Sequence, residues 1–206
     1  MPDSPVAHII DDDEAIRDAL QWLFKTRNLA SSTWPSAEVF LDAVQPDWQG
    51  CVVMDIRMDG MSGLQCFDAL RARANTLPVV FITGHGDVPM AVSALKKGAF
   101  DFIEKPFNDG DLVEIVMRAL EADRLERANV QEQAAVNERL ASLTSREREV
   151  MHLILEGHYN KVIGDKLNIS MRTVEVHRSK IFEKAGVRSA VELAQLLKSS
   201  GHSGGG

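Results

Sequence analysis

The stretch VVMDIRMDGMSG, residues 52–63, decides the fold of the first half of the chain. It begins like a buried β-strand, the strand ends on the carboxylate of Asp55, and a glycine-containing loop follows. Four more short apolar runs lie on either side of it within roughly the first 125 residues, and helical patterns of apolar residues follow them. Apolar strands that alternate with helices predict an α/β fold whose parallel sheet is covered by helices on both faces.

The composition is that of an ordinary globular chain. The 206 residues suffice for one large domain or two small ones, and the hydrophobic and charged fractions are 45% and 26%. No apolar run is long enough to span a membrane, and the first residues lack the basic and apolar parts of a signal peptide. We therefore expect a cytoplasmic protein that makes no contact with a membrane.

The distribution of charge and the two cysteines give expectations about the partner of the second half and about disulfide bonding. Residues 1–125 carry 20 acidic and 11 basic side chains, whereas residues 126–206 carry 10 and 12. This asymmetry is a weak indication that the second half meets a polyanion. Cys51 and Cys66 are not spaced as a CxxC pair, so buried reduced thiols are predicted, with a disulfide as the alternative.

Polar side chains stand where the predicted strands end: Asp11 and Asp12 after the first, Asp55 after the third, Thr83 after the fourth and Lys105 after the fifth. In a doubly wound sheet of order 2-1-3-4-5, these ends meet at one edge. Carboxylates crowded together repel each other unless a cation compensates, and Mg²⁺ prefers oxygen ligands. A metal, an ammonium and a hydroxyl around one carboxylate suit phosphoryl transfer to Asp55. The alternatives are that each aspartate only caps a turn, or that DDDE is a solvated first helical turn.

The second half of the chain is helical throughout. Residues 111–143 contain no Gly or Pro and predict one long linking helix, with a flexible linker as the alternative. Four shorter helices follow, the first of them with Thr144 and Glu147 spaced as a capping box. A tight turn joins the second and third of these helices, which is the pattern of a helix-turn-helix.

The third of these helices has two distinct faces by its spacing. Val174, Ile181 and Ala185 should pack inward, and the opposite face should enter the major groove of DNA. The side chains assigned to base edges are Arg172, Glu175, Val176, Arg178 and Ser179. Those assigned to phosphates are Lys161, Thr173, Lys180 and Lys184. The alternative is a small helical bundle whose outer charges are simply solvated.

These motifs resemble two known domain families. DDD at residues 11–13, MDIRMDGMSG around Asp55, ITGHGD at Thr83 and DFIEKPF at Lys105 resemble the receiver domain of two-component response regulators, of the flavodoxin-like fold. Residues 143–193 resemble the LuxR-type DNA-binding domain of the FixJ/NarL group, and the FixJ type most of all. The resemblance implies a receiver over residues 4–122, a helical linker over 123–141, a LuxR-type helix-turn-helix domain over 142–201 and a flexible tail over 202–206.

The resemblance also implies roles for single residues. Asp55 would be phosphorylated by a sensor histidine kinase, with Lys105 on the phosphoryl group, Thr83 and Phe102 as switch residues, and a cis peptide before Pro106. Mg²⁺ or Mn²⁺ would be held by Asp11, Asp12, Asp55 and the main-chain carbonyl of Arg57. The family usually has proline where this chain has Asp59, so the loop after Asp55 is expected to be less stiff and the lifetime of the phosphoryl group is left open.

The implied protein is a phosphorylation-activated transcriptional regulator rather than an enzyme, with slow self-dephosphorylation as its only turnover. Its expected partners are the kinase, promoter DNA, RNA polymerase and, when phosphorylated, a second copy of itself. One alternative is a DNA-binding regulator that acts without phosphorylation. Another is a phosphatase-like enzyme with Asp55 as nucleophile, against which Arg57 stands where such enzymes place a general acid.

Overall fold

The computed structural model of the chain describes residues 5–84 and 88–199. Residue 4 of the predicted receiver, residues 200 and 201 of the predicted DNA-binding domain and the predicted tail lie outside the described residues. The chain divides into two compact units, the first ending at Arg127 and the second beginning at Ala128. Within the described ranges, none of the helices is both long enough and apolar enough to cross a membrane.

The first unit contains a five-stranded parallel sheet in the order β2-β1-β3-β4-β5, which confirms the predicted fold class. Its strands are β1 Val6–Ile10, β2 Ser31–Trp34, β3 Gly50–Asp55, β4 Val79–Thr83 and β5 Asp101–Glu104. Its helices are α1 Glu14–Thr26, α2 Ala37–Ala43, α3 Gly63–Ala72, α4 Val88–Lys96 and the first part of α5 Asp109–Ala141, which continues into the second unit.

Two apolar layers cover the faces of this sheet. Side chains of a strand alternate between its faces, so Val52 and Met54 of β3 pack with α2, α3 and α4, while Cys51 and Val53 pack with α1 and α5. Cys51 and Cys66 lie in different layers as buried free thiols, so no disulfide joins them. Burial raises the pKa of each thiol to about 12, and neither is reactive near neutral pH.

The predicted long helix is confirmed as α5, which runs for 33 residues. It is fastened to the first residue of β3 by Asp123, a buried carboxylate that accepts a 2.9 Å hydrogen bond from the main-chain nitrogen of Gly50. Arg127, four residues on, pairs with Asp123 and donates to the Trp48 carbonyl. Gly50 has φ +135°, and a Cβ there would lie 1.9 Å from the carbonyl oxygen of Val6, so only glycine fits.

The described part of the second unit, up to residue 199, holds four further helices: α6 Ser145–Leu155, α7 Asn160–Leu167, α8 Met171–Ala185 and α9 Ala190–Ser199. Val136 and Leu140 at the end of α5 join their apolar core. Thr144 caps α6 and forms the predicted capping box with Glu147. Asn168, in the left-handed conformation, ends α7, and Ser170 caps α8 after a short turn.

Candidate functional site

The register of the sheet brings three of the predicted residues together where the strands end. Met54 lies beside Ile10, so Asp55 at the end of β3 lies next to Asp11, which directly follows the neighbouring strand β1. Lys105 reaches back from the loop after β5, and its Nζ lies 2.5 Å from Asp55 Oδ2 and 3.9 Å from Asp11 Oδ2. We call Asp11, Asp55 and Lys105 the carboxylate hollow.

Asp11 is the most deeply buried member of the hollow, with 2% of its side chain exposed. Its Oδ1 accepts a 2.9 Å hydrogen bond from the nitrogen of Asp13, whereas its buried Oδ2 has no hydrogen-bond partner. Burial raises the pKa of Asp11, and the carboxylate of Asp55 adds to that rise while Lys105 opposes it. The hollow therefore contains more negative charge than its one ammonium compensates, and one spare acceptor.

The loop after Asp55 is held by carboxylates from two other elements. The main-chain nitrogen of Asp59 donates to Asp12 Oδ2 at 2.8 Å, and that of Met61 donates to Glu38 Oε1 at 2.8 Å. The nitrogen of Arg57 donates to Asp55 Oδ1 at 2.9 Å. Glu38 is a residue that the sequence interpretation missed, because a contact between separate elements leaves no signal in local spacing.

Thr83 and Lys105 are joined through the main chain. The nitrogen of Lys105 donates to the carbonyl oxygen of Thr83 at 2.8 Å, and the fully buried Thr83 hydroxyl donates to the carbonyl of Gly84 at 3.1 Å. The Lys105–Pro106 peptide is cis, as the resemblance implies. Phe102 is not in the hollow: it lies beside Phe81 within β5, half-buried against the apolar layer of α2, α3 and α4.

A divalent cation finds suitable donors here but not a preformed cage. Among the described residues, no three His, Cys, Asp or Glu side chains are grouped so as to hold a metal. Two of the carboxylates already accept hydrogen bonds, since Lys105 donates to Asp55 and the nitrogen of Asp59 donates to Asp12. The donor set still suits Mg²⁺ or Mn²⁺, because it consists of carboxylate and carbonyl oxygens and includes the unpartnered Asp11 Oδ2.

Helix α8 has the two faces that its spacing predicts. Val174, Ile181 and Ala185 are at most 1% exposed and lie in the core of the second unit. Four of the predicted base-contacting residues are exposed: Arg172, Glu175, Val176 and Ser179. Two of the predicted phosphate contacts, Lys180 of α8 and Lys161 of α7, are exposed as well. Thr173 is half-buried, and its hydroxyl lies 2.8 Å from that of Ser170.

Two predicted DNA contacts are already engaged within the domain. The Lys184 ammonium lies 2.7 Å from Glu147 Oε2, which is buried, and 3.2 Å from the carbonyl oxygen of Ser142. The hydrogen bond from Lys184 lowers the pKa of Glu147 to about 2. Arg178 is half-buried, with its guanidinium 5.4 Å from the ring centre of Phe182.

Comparison with known families finds one matching domain family for the part of the chain that holds the carboxylate hollow and another for the part that holds α8. Residues 7–117 match the response regulator receiver domain, and residues 141–197 match the bacterial regulatory proteins of the luxR family. The chain belongs to the response regulator family. This response regulator, with its luxR-type domain, is a DNA-binding transcriptional regulator.

Relatives extend over nearly the whole response regulator. The C4-dicarboxylate transport transcriptional regulatory protein DctR of Rhodobacter capsulatus is 49% identical, over 92% of this chain and 97% of its own. The transcriptional regulatory protein FixJ of Azorhizobium caulinodans is 41% identical, over 98% of this chain and 95% of its own. These matches confirm the resemblance to FixJ-type regulators.

Solved structures agree with the fold of the response regulator. The response regulator StyR matches with a TM-score of 0.88 and 37% identity, over 95% of this chain and 99% of its own. Full-length FixJ from B. japonicum matches with a TM-score of 0.60 and 35% identity, over 98% of this chain and 99% of its own.

Proposed function

We propose that phosphorylation of Asp55 switches this response regulator into a form that binds promoter DNA. The observation that carries the proposal is the pairing of the Asp55 carboxylate with Lys105 beside a buried, unpartnered oxygen of Asp11. A purely structural ion pair needs no second buried carboxylate, whereas a site that receives a charged phosphoryl group and a cation needs both charges and a free acceptor.

The chemical step is a transfer of a phosphoryl group from a phosphohistidine of a sensor kinase. An oxygen of Asp55 forms a bond to phosphorus as the phosphorus–nitrogen bond breaks, and the electron pair of that bond stays on the imidazole. Lys105 leaves the carboxylate and binds a phosphoryl oxygen. Asp11, Asp12, Asp55 and the Arg57 carbonyl would hold Mg²⁺ or Mn²⁺, which would supply the remaining neutralisation of charge.

The switch begins at Thr83. Its hydroxyl donates to the Gly84 carbonyl in the present structure and would turn to a phosphoryl oxygen instead. That movement changes the packing beside β5, where Phe102 is only half-buried and can turn inward. The altered face, formed by α4, β5 and α5, would pair with a second copy of the chain. Two helix-turn-helix units would then reach two half-sites of one promoter. RNA polymerase is the expected partner at that promoter.

The proposed DNA surface is the exposed face of α8. Arg172, Glu175 and Val176 are exposed and supply a guanine-binding, a cytosine-binding and a thymine-methyl-binding group. Ser179 and the half-buried Arg178 complete the base-facing side. Lys180 of α8 and Lys161 of α7 are exposed and can reach phosphates at its margin, with Thr173 nearby on α8. We leave Lys184 out of this surface, because its ammonium holds Glu147.

The experiment compares wild type with Asp55→Asn, each with acetyl phosphate and Mg²⁺. Wild type should show a phosphoprotein band of altered mobility and bind promoter fragments about tenfold more tightly after treatment. The Asn variant should show neither change, because an amide oxygen forms no stable acyl phosphate. Equal footprints for treated and untreated wild type would support the phosphorylation-independent regulator, and phosphate uptake by the Asn variant would exclude Asp55 as acceptor.

A further inference from the structure

Two similar hydrogen bonds hold the loop after Asp55, but only one of their two acceptor carboxylates belongs to the proposed cation site. The nitrogens of Asp59 and Met61 each donate a 2.8 Å hydrogen bond to a carboxylate, Asp12 and Glu38 respectively. Gly60 between them has φ +78°, a conformation that glycine adopts without strain. Asp12 belongs to the proposed cation site and Glu38 does not, so only the first bond uses an oxygen that a metal would need.

The hydrogen bond to Asp12 competes with a cation for that carboxylate. An N–H that donates to a carboxylate is a charge-assisted bond and one of the stronger hydrogen bonds in proteins. Asp12 is exposed, so without the bond its side chain is free to rotate toward Asp11 and Asp55. Lys105 engages Asp55 in the same way. Two donors thus engage two of the carboxylates that a cation would need, and no three-ligand group is found among the described residues.

We propose that the main-chain N–H of Asp59 is a latch on Asp12 that weakens divalent cation binding and so limits phosphorylation of Asp55. The latch rests on the proposed function, since it acts on the cation that phosphoryl transfer uses. It is a property of the main chain at position 59 and not of the Asp59 carboxylate. Any residue except proline at this position provides the N–H, and proline removes it.

The test is a matched pair of full-length variants, Asp59→Pro and Asp59→Ala. Both lack the carboxylate, and only the first lacks the N–H. Mn²⁺ binding is measured from the loss of the electron paramagnetic resonance signal of the free ion. We expect Asp59→Pro to bind Mn²⁺ about three- to tenfold more tightly than Asp59→Ala, the range for one partly solvated hydrogen bond to a charged group. Equal or weaker binding by a folded Asp59→Pro overturns the latch.

Amide hydrogen exchange in the wild type is a second test, and it does not depend on the folding of any variant. Saturating Mg²⁺ should speed the exchange of the Asp59 amide several-fold, because the cation draws Asp12 away. The Met61 amide, held by Glu38, is the internal reference and should not change. Unchanged or slower exchange at Asp59 shows that Asp12 binds metal through its other oxygen, and it overturns the latch.

Failure of the latch is distinguishable from failure of the proposed function. If wild type takes up phosphate on Asp55 but the two variants bind Mn²⁺ equally, the latch is wrong and the function stands. If Asp59→Pro binds Mn²⁺ more tightly than Asp59→Ala but Asp55 of the wild type takes up no phosphate, the proposed function is wrong, and the latch stands only as a limit on cation binding. If wild type binds no Mn²⁺, the latch is wrong as well.

Discussion

The two units of the chain each pair a lysine with a buried or half-buried carboxylate, and the two pairs differ in how completely they are satisfied. In the second unit, Lys184 lies 2.7 Å from Glu147, whose carboxylate also accepts a 2.8 Å bond from the nitrogen of Thr144. In the carboxylate hollow, Lys105 lies 2.5 Å from Asp55 and is shared with Asp11, whose Oδ2 has no hydrogen bond.

This difference separates a structural pair from a reactive one. One carboxylate with one ammonium and a capped helix leaves nothing for a ligand, so the pair can only stabilise the fold. Two carboxylates that share one ammonium leave a net negative charge, which disfavours the folded state until a cation or another partner arrives. Mutations should therefore change the free energy of unfolding in opposite directions at the two sites.

Glu147→Ala should give the largest effect, a loss of about 2 to 4 kcal/mol in the free energy of unfolding of the second unit. It leaves the Thr144 nitrogen without its acceptor, leaves the Lys184 ammonium with only the Ser142 carbonyl, and removes half of the capping box. The measurement is urea unfolding followed by circular dichroism at 222 nm. Tryptophan fluorescence serves as the reference for the first unit, which contains Trp22, Trp34 and Trp48.

The matched control is Glu149→Ala on the same helix. Glu149 pairs with Arg146 at 2.6 Å, but half of its side chain is exposed, so its loss should cost less than about 0.5 kcal/mol. If the Glu147 and Glu149 variants are destabilised equally, the pair in the second unit is not the closed structural pair described above.

Acid should destabilise the first unit before the second. His8 is buried, its ring stacks on Trp48 with centres 4.7 Å apart, and burial lowers its pKa to about 4. The unfolded chain binds the proton below about pH 6.5, so stability is lost as the pH falls from there toward 4. The raised pKa of Asp11 acts in the opposite direction, and the net loss by pH 5 should be about 1 to 2 kcal/mol.

Glu147 also loses its contribution to stability as the pH falls, but in a lower pH range than His8. Its pKa is lowered to about 2, so its contribution is fully present above its unfolded value and is lost only as the pH falls toward 2.

Urea unfolding at pH 7 and pH 5, followed by tryptophan fluorescence, should show the loss of stability of the first unit that protonation of His8 causes. His8→Gln, which keeps an acceptor for Trp34 but does not titrate, should remove most of it. If the His8→Gln variant still loses the same free energy of unfolding between pH 7 and pH 5, a group other than His8 causes the loss.

The sequence was sufficient to predict the fold and the members of the hollow because both depend on strand periodicity. Strands with apolar residues throughout require a covered parallel sheet, and the residues that end them, such as Asp55 and Lys105, then meet at one edge. The inner face of α8 followed from helical spacing in the same way.

The rest depends on contacts that spacing does not encode. Lys184 has the position of a phosphate-binding residue on α8, but its partner Glu147 lies 37 residues earlier on another helix. Glu38 and the nitrogen of Asp59 were missed as anchors of the loop after Asp55, since a main-chain donor has no side-chain signature. The pairing of a long side chain is decided by which element packs beside it.

Asp11→Asn should give the smallest effect and the opposite sign, a gain of about 1 kcal/mol in the free energy of unfolding of the first unit with EDTA present. The amide removes one of the two charges that share Lys105 and the need to bury an unpartnered anionic oxygen. Asp13→Asn is the control, because Asp13 is exposed and Asn caps α1 equally well, so stability should not change. Saturating Mg²⁺ should then stabilise wild type more than Asp11→Asn. A loss of stability in Asp11→Asn under EDTA would mean that the hollow is a satisfied structural pair like that of Glu147, with no spare charge to bind a cation.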